Sequence, residues 1–461
     1  MIGVTLALPE GMWEELVARL ALPIETAAVI AARTLAGPGH ELTLLGRSVH
    51  WAPDEAYTVR EADQLVLESW GWAPALGHAA ADGAMAVFVH THPGEPAQPS
   101  GRDRVVDTLL AEPFRVRTGQ RRYAHLVLGG TTTSPQIAGG VLDTDDSWRP
   151  LRAVRAVGRR LRVLLSVAEP ANAEAGDDPF DRQVRAFGRP GQRVLKALHV
   201  GIVGVGGTGS PLFEQLVRLG VGELTVIDPD TLTAGNVTRV YGSGMADVDR
   251  AKVAIAEAHA QRIGLGTTVR TLQRSVTALE AAWALRHCDV VFGCTDDNVG
   301  RMVLSRLGYW CLMPVIDTGV LIDTASDSGV VSGVFGRVTI VGPGAACLAC
   351  RSRIDLARAQ AEALDPVERR KRAAEGYAVG LADPDPSVVA YTTMVAATAV
   401  GELLERLFGY GSTVTPSELM LRHHARSISL NTAVSRSDCY CADPSILGSG
   451  DSAPFLDRTW I

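Results

Sequence analysis

An apolar run, Val200 to Val203, leads into the glycine-dense stretch Gly201-Ile202-Val203-Gly204-Val205-Gly206-Gly207-Thr208-Gly209-Ser210, and a helical pattern leaves it. A strand that turns on glycines into a helix opens an α/β layer and points backbone N–H groups at a phosphate. Alone, such a turn says only nucleotide, NAD included. The residues downstream narrow the choice. Asp228 and Asp230 close the next strand, Asn236 and Arg239 come soon after, then Lys252, then Asp296-Asp297-Asn298. Cations and carboxylates in that mixture suit ATP, Mg2+ and a carboxylate to be activated.

Strand and helix patterns alternate from residue 181 onward: strand 199–203, helix 209–219, strand 224–228, helix 251–262, strand 289–293, helix 299–308 and strand 313–316. Such alternation predicts a parallel, doubly wound α/β sheet. A charged helical insertion is expected over 354–376, a crossing loop ending at Pro384 and Pro386, a packed helix over 388–407 and an irregular tail over 442–461. Residues 1–150 mix short strands, 84–90 and 125–128 among them, with helical patterns, and form a separate α/β domain. Between the two domains, 151–166 reads as a helix with a basic face, and 167–180 carries the breakers of a linker.

The chain has 461 residues and 46% apolar content, enough for two or three cores, and no internal repeat. A net charge of −7 gives no pull toward nucleic acid, and the basic runs Arg152–Arg162 and Arg369–Arg372 read as solvated helix faces. No basic-then-apolar leader is visible, and no apolar stretch reaches the ~20 residues that span a bilayer. A cytoplasmic protein without membrane or nucleic-acid partners is expected. Seven cysteines do not make a secreted disulfide scaffold. Cys288, Cys294 and Cys311 lie in apolar strand patterns and read as inert core residues.

In the N-terminal domain His90-Thr91-His92-Pro93 follows an apolar strand, and Ser100 and Asp103 come next. Histidines at i and i+2 project to one side of a strand end. Asp103 can return from the following helix. Two histidines and one aspartate leave a tetrahedral position open, as a catalytic zinc requires. A carboxylate must then take the proton of zinc-bound water, and Glu25 is the candidate, with Glu41 as its rival. The pattern Glu…His-x-His-Pro…Ser-x-x-Asp resembles the JAMM (JAB/MPN) metalloproteases, which cleave ubiquitin-like proteins at the end of their C-terminal tail. The resemblance covers residues 1–150. It implies that His90, His92 and Asp103 hold zinc, that Glu25 is the general base, and that Ser100 stabilises the oxyanion.

In the C-terminal domain Asp228, 24 residues after Gly204, stands where dinucleotide folds bond ribose hydroxyls. Asn236 and Arg239 can reach phosphates, Lys252 can neutralise them, and Asp296 can hold Mg2+. The order Arg182-Gln183, Gly191-Gln192, Gly204-x-Gly206-Gly207-x-Gly209-Ser210, Asp228-x-Asp230, Asn236-x-x-Arg239, Lys252, Cys294-Thr295-Asp296-Asp297-Asn298 resembles the ThiF/MoeB family of the ubiquitin-activating-enzyme superfamily. The resemblance spans residues 179–441. It implies a Rossmann-like homodimer that uses ATP and Mg2+ to adenylate the C-terminal glycine of a ubiquitin-like or sulfur-carrier protein. Arg182 would act on the partner's ATP as an arginine finger, and Asp296 would be the Mg2+ residue, with Asp297 an extra acid beside it. Cys347, Cys350, Cys439 and Cys441 match a structural zinc site of that family, although the second pair here is C-x-C.

Many members of the family carry a further cysteine that takes the activated tail, but residues 351–438 contain none. The reaction is therefore expected to stop at the acyl-adenylate, which passes to a partner's nucleophile, a conjugating-enzyme cysteine among the options. The first expectation is a bifunctional enzyme of a prokaryotic ubiquitin-like pathway, activating the modifier and cleaving its precursor or conjugate. Second comes a sulfur-carrier adenylyltransferase for thiazole- or molybdopterin-type cofactors. A binding scaffold with silent sites is the third, disfavoured by the intact His90, His92, Asp103, Lys252 and Asp296.

Overall fold

The computed structural model describes residues 3–37, 41–167, 179–324, 330–362, 386–411 and 415–460. The chain divides into two units, Met1–Ala175 with Trp310–Leu312 and Leu447–Ser452, and Gly176–Tyr309 with Met313–Ile446 and Ala453–Ile461.

The first unit is built on strands β1 (Val4–Pro9), β2 (Ala27–Ala36), β3 (Leu42–Trp51), β6 (Met85–Pro93), β7 (Tyr123–Gly130), β8 (Pro135–Leu142), β9 (Trp148–Val157) and β10 (Leu161–Leu165), with β4 (Tyr57–Arg60) and β5 (Leu65–Leu67) as a small ribbon. Their order is β1-β3-β2-β6-β7-β8-β9-β10, and β1 also pairs with β9. That extra pairing closes the sheet, so β1 has no open edge. Helices α1 (Glu10–Ala18), α2 (Ala73–Ala81) and α3 (Gly101–Thr118) accompany it. One core gathers Val4, Leu6, Ile30, Val87, Val89 and Leu126; a second gathers Val29, Leu76, Phe88, Phe114 and Tyr123. The alternation Val87, Val89 against Phe88 is the pleat of a strand buried on both faces.

The expected helix over 151–166 is corrected: it is the pair β9 and β10. Arg152, Arg155 and Arg159 recur at helical spacing, but β9 pairs in parallel with β1 and antiparallel with β10, and this tertiary pairing overrides the local pattern. Arg155 is 1% exposed, not part of a solvated face. Gly158, whose N–H bonds to Arg160 O, makes the turn.

The second unit begins with α4 (Asp181–Ala197), interrupted at Gly188 with φ +73°. Strands β11 (His199–Val203), β12 (Glu223–Ile227), β13 (Thr268–Leu272), β14 (Val290–Gly293), β15 (Val315–Thr324), β16 (Val331–Val341), β17 (Glu418–Arg422) and β18 (Ser427–Asn431) form a sheet of order β13-β12-β11-β14-β15-β16-β17-β18. The first five are parallel and the last three add antiparallel. Helices α5 (Gly209–Arg218), α6 (Lys252–Ile263), α7 (Leu279–Ala284), α8 (Asn298–Trp310), α9 (Leu356–Glu362) and α10 (Val389–Phe408) complete it. The order 3-2-1-4 reverses between β11 and β14, and ligands of such sheets bind outside the carboxyl ends of the strands at that point. The expected insertion is described only as α9. Its remainder, Arg369–Arg372, Pro384 and most of the 167–180 linker lie outside the described residues.

Candidate functional site

Residues of the first unit converge where β6 ends. His90 and His92 share one face of β6, and Ser100 caps α3. The cap is reciprocal: Asp103 N–H donates to Ser100 Oγ at 3.2 Å, and Ser100 N–H donates to Asp103 Oδ2 at 2.6 Å. This fixes the Asp103 carboxylate against the imidazoles and leaves the Ser100 hydroxyl proton to donate elsewhere. His90 Nε2 lies 3.1 Å from His92 Nε2 and 3.2 Å from Asp103 Oδ1. Ligands about 2.0–2.1 Å from a tetrahedral zinc stand about 3.3 Å apart; both His90 separations match that spacing, and His92 Nε2 lies 3.8 Å from Asp103 Oδ2.

Burial opposes ionisation of Asp103, yet the His90 ring and Ser100 outweigh it and hold the carboxyl well below its usual range. Burial and His90 keep His92 below the usual imidazole range, favouring the neutral ring that metals bind. Glu25 precedes β2 and is 6% exposed, with Oε1 3.5 Å from His92 Nε2. Burial pushes its carboxyl up to about 7 against the pull of His90. Its backbone is pinned by three bonds: Glu25 N–H to Glu61 O, Arg60 Nε to Glu25 O, and Thr26 N–H to Thr91 Oγ1 at 2.9 Å. None of those partners carries a signal in a single sequence. The rival Glu41 abuts the opposite end of the β2–β3 hairpin, where Ala36 pairs with Leu42, while Ala27 pairs with His90. Nine strand steps separate the two ends, about 30 Å.

The four cysteines Cys347, Cys350, Cys439 and Cys441 also come together, with all four sulfurs within 4.8 Å of one another. Cys347 and Cys439 Sγ are 3.5 Å apart and Cys350 and Cys441 Sγ 3.7 Å. Thiolates 2.3 Å from a tetrahedral zinc stand about 3.8 Å apart, so a C-x-x-C and a C-x-C suffice to surround the ion. Cys288 and Cys311 are fully buried, and burial pushes the Cys294 thiol up to about 12, so none of the three is a ready nucleophile.

At the switch point, Gly204 takes φ +88° and packs against Cys294 O, and a Cβ on Gly209 would stand 1.8 Å from Gly204 O. Only glycines permit this turn, which brings the start of α5 beside the segment leaving β14. Ser210 Oγ donates to Gly206 O at 2.7 Å and accepts the Tyr241 N–H at 3.0 Å, tying the turn to the segment of Arg239. Arg239 crosses Gly207, where a Cβ would meet its Cδ at 3.0 Å, and its Nη1 donates to Gly235 O. Asn236 caps its own turn, accepting the Thr233 N–H.

Asp228 is 4% exposed and accepts the Val205 and Asp230 N–H groups; burial pushes its carboxyl up against the pull of Lys252. Lys252 Nζ lies 2.7 Å from Asp230 Oδ2 and 4.0 Å from Asp228 Oδ1. Asp297 is committed to the start of α8, accepting the Gly300 N–H and the Thr295 hydroxyl, while Asp296 is exposed. Glu362 of α9 takes the Asn298 and Val299 N–H groups, a cap that the sequence did not announce. Arg182 stands in the first turn of α4, where its neighbour Gln183 donates to Arg218 O at the far end of α5, about 14 Å along that helix from Gly209.

A profile of the ThiF family matches residues 180–441, and one of prokaryotic homologs of the JAB domain matches residues 9–149. Molybdopterin-synthase adenylyltransferase of Escherichia coli (strain K12) is 29% identical over 179 residues, 38% of this chain and 68% of the relative. Adenylyltransferase and sulfurtransferase MOCS3 of Bos taurus is 32% identical over 135 residues, and the chain spans only 30% of its length. Among solved structures, E. coli MccB with ATP aligns over 59% of this chain and 76% of its own at 14% identity and a TM-score of 0.45. The chain belongs to the ThiF family through residues 180–441 and carries ahead of that domain, at residues 9–149, a prokaryotic homologue of the JAB domain.

Proposed function

We propose that the C-terminal domain adenylates the terminal glycine carboxylate of a ubiquitin-like or sulfur-carrier protein with ATP. The observation that carries this reading is the meeting of the glycine turn, Arg239, Lys252, Asp228 and Asp230 at the switch point, with Asp296 exposed on the adjoining segment. The turn's N–H groups and the N-terminus of α5 receive phosphate. Asp230, the more exposed carboxylate of its pair, and Asp228 face the ribose hydroxyls. Lys252 leaves Asp230 for the α-phosphate, and Arg239 supports the leaving pyrophosphate. Asp296 would hold Mg2+, which when bound neutralises charge on the phosphates. Arg182 acts from the partner of a homodimer. The names of the curated relatives support adenylyl transfer and favour a sulfur carrier as the second reading of the substrate.

The N-terminal domain is proposed to cleave at the tail of the same modifier, from a precursor or a conjugate. His90, His92 and Asp103 would hold zinc, which when bound polarises a carbonyl and lowers the pKa of its water. Glu25 receives the water's proton and returns it to the leaving amine, a role suited to a carboxyl raised to about 7. Ser100 donates to the developing oxyanion. The Cys347, Cys350, Cys439 and Cys441 site would hold a structural zinc. Carrier-dependent ATP–pyrophosphate exchange tests the first activity; exchange absent with every glycine-ended carrier tried contradicts it. Release of an isopeptide- or peptide-linked tail tests the second, and intact substrate with zinc-loaded protein contradicts it.

A further inference from the structure

Helix α8 starts directly after the exposed Asp296, and its first three N–H groups are all taken by other carboxylates. Glu362 Oε2 accepts the Asn298 N–H at 2.7 Å and the Val299 N–H at 3.2 Å. Asp297 Oδ1 accepts the Gly300 N–H, and its Oδ2 accepts the Thr295 hydroxyl. Asp296 makes no side-chain hydrogen bond or ion pair among the described residues. This sharing runs against local preference. An aspartate bonds most readily to the N–H groups two and three residues further on, as in an Asx turn or at an N-cap. For Asp296 those groups belong to Asn298 and Val299, the pair that Glu362 holds. The positive end of the helix dipole also draws the nearest carboxylate onto unpaired N–H groups. Without Glu362, and with Asp297 committed through both oxygens, Asp296 is their next partner. A carboxylate turned onto two backbone N–H groups has less to offer a cation.

Glu362 is itself held in place. Its Oε1 accepts Asn298 Nδ2 and Arg358 Nε, each at 3.2 Å. Asn298, 5% exposed, returns the contact through Oδ1, which accepts the Asp355 N–H at 2.9 Å just ahead of α9. Asp355 Oδ1 in turn accepts the Arg358 N–H at 3.0 Å and caps α9. Two residues before Asp355, Arg353 donates to the fully buried Glu418 of β17 at 2.8 and 2.9 Å. The strap from Arg353 to Glu362 is therefore tied to the sheet at one end and to α8 at the other.

We propose that Glu362 is a positioning residue of the nucleotide site: by occupying the Asn298 and Val299 N–H groups it keeps the Asp296 carboxylate free for a divalent cation. The inference rests on the reading of Asp296 as the Mg2+ residue, and ATP binding without a carrier tests the two separately. The full chain is titrated with ATP by isothermal titration calorimetry, once with Mg2+ and once in Mg2+-free buffer. The unaltered protein should bind ATP more tightly with Mg2+. Glu362→Ala should cut that gain about tenfold, the worth of a competing helix cap, and leave the Mg2+-free affinity unchanged. Glu362→Gln keeps an oxygen for the two N–H groups and should recover most of the gain. A full gain in Glu362→Ala, alongside its loss in Asp296→Ala, overturns the role of Glu362. So does Glu362→Gln as weak as Glu362→Ala, which assigns the effect to charge, and so does an equal fall in both buffers, which marks a structural role. No gain in the unaltered protein, or a gain that survives Asp296→Ala, overturns the reading of Asp296 itself.

Discussion

At the end of β14 two adjacent aspartates meet different environments. Asp297 is bound into the first turn of α8, and Asp296 faces solvent. Replacing Asp297 with Ala removes a helix cap and is expected to cost about 1 kcal/mol of stability. Replacing Asp296 with Ala should leave thermal unfolding unchanged yet abolish carrier-dependent pyrophosphate exchange and spare the peptidase. If Asp297→Ala alone stops exchange, the assignment is reversed. On the zinc side, Glu25→Ala should lower cleavage by about 10²–10⁴-fold with zinc content unchanged by atomic absorption. Persistent cleavage removes Glu25 from the role of base. His90, His92, Ser100 and Asp103 were legible because the chemistry lies within fourteen consecutive residues, a strand end and a helix cap. The sequence put Glu25 ahead of Glu41 but gave no distance for either; the Thr26–Thr91 hydrogen bonds, which hold the residue after Glu25 beside the His90–His92 strand, were not visible in it.

The parallel strands around the glycine turn were legible as elements, since buried apolar runs and 3.6-residue periods alternate there. The pair β9–β10 was not, because its arginines mimic a helix face and its partner β1 lies at the other end of the domain. The antiparallel strands β16–β18 hold a further device that spacing does not reveal. Glu418, fully buried, accepts from Arg353 at 2.8 and 2.9 Å and from Thr339 and Asn431. Burial opposes its ionisation, but those donors win and hold the carboxyl at about 2, below its ordinary 4.5. A carboxyl lowered on folding stabilises above its unfolded pKa, and that contribution fades as pH falls from about 4.5 toward 2. Glu418→Gln should therefore lower the melting temperature at pH 7 and lose most of that effect near pH 2.5. An equal deficit at both pH values contradicts the ion-pair account.

For the whole molecule, the fusion was legible from two motif sets of unlike chemistry, a metal constellation and a nucleotide turn. Arg182 is proposed to act on the nucleotide of a partner subunit. Inactive Arg182→Ala mixed with inactive Asp296→Ala should regain exchange, because a mixed dimer keeps one complete site. No recovery in a confirmed heterodimer argues against action across the dimer. The two ligand clusters predict zinc at two sites per chain, falling to one in Cys347→Ser or in His90→Ala. No helix among the described residues is long and apolar enough to cross a membrane.

The central claim is that the turn at residues 204–210 activates a protein's terminal carboxyl. Intact-mass spectrometry of a glycine-ended carrier incubated with the protein, ATP and Mg2+ tests it directly. The account predicts a mass gain of one adenylate, located at the terminal glycine and lost with Asp296→Ala. A carrier left unmodified while the turn binds NAD in place of ATP would contradict it.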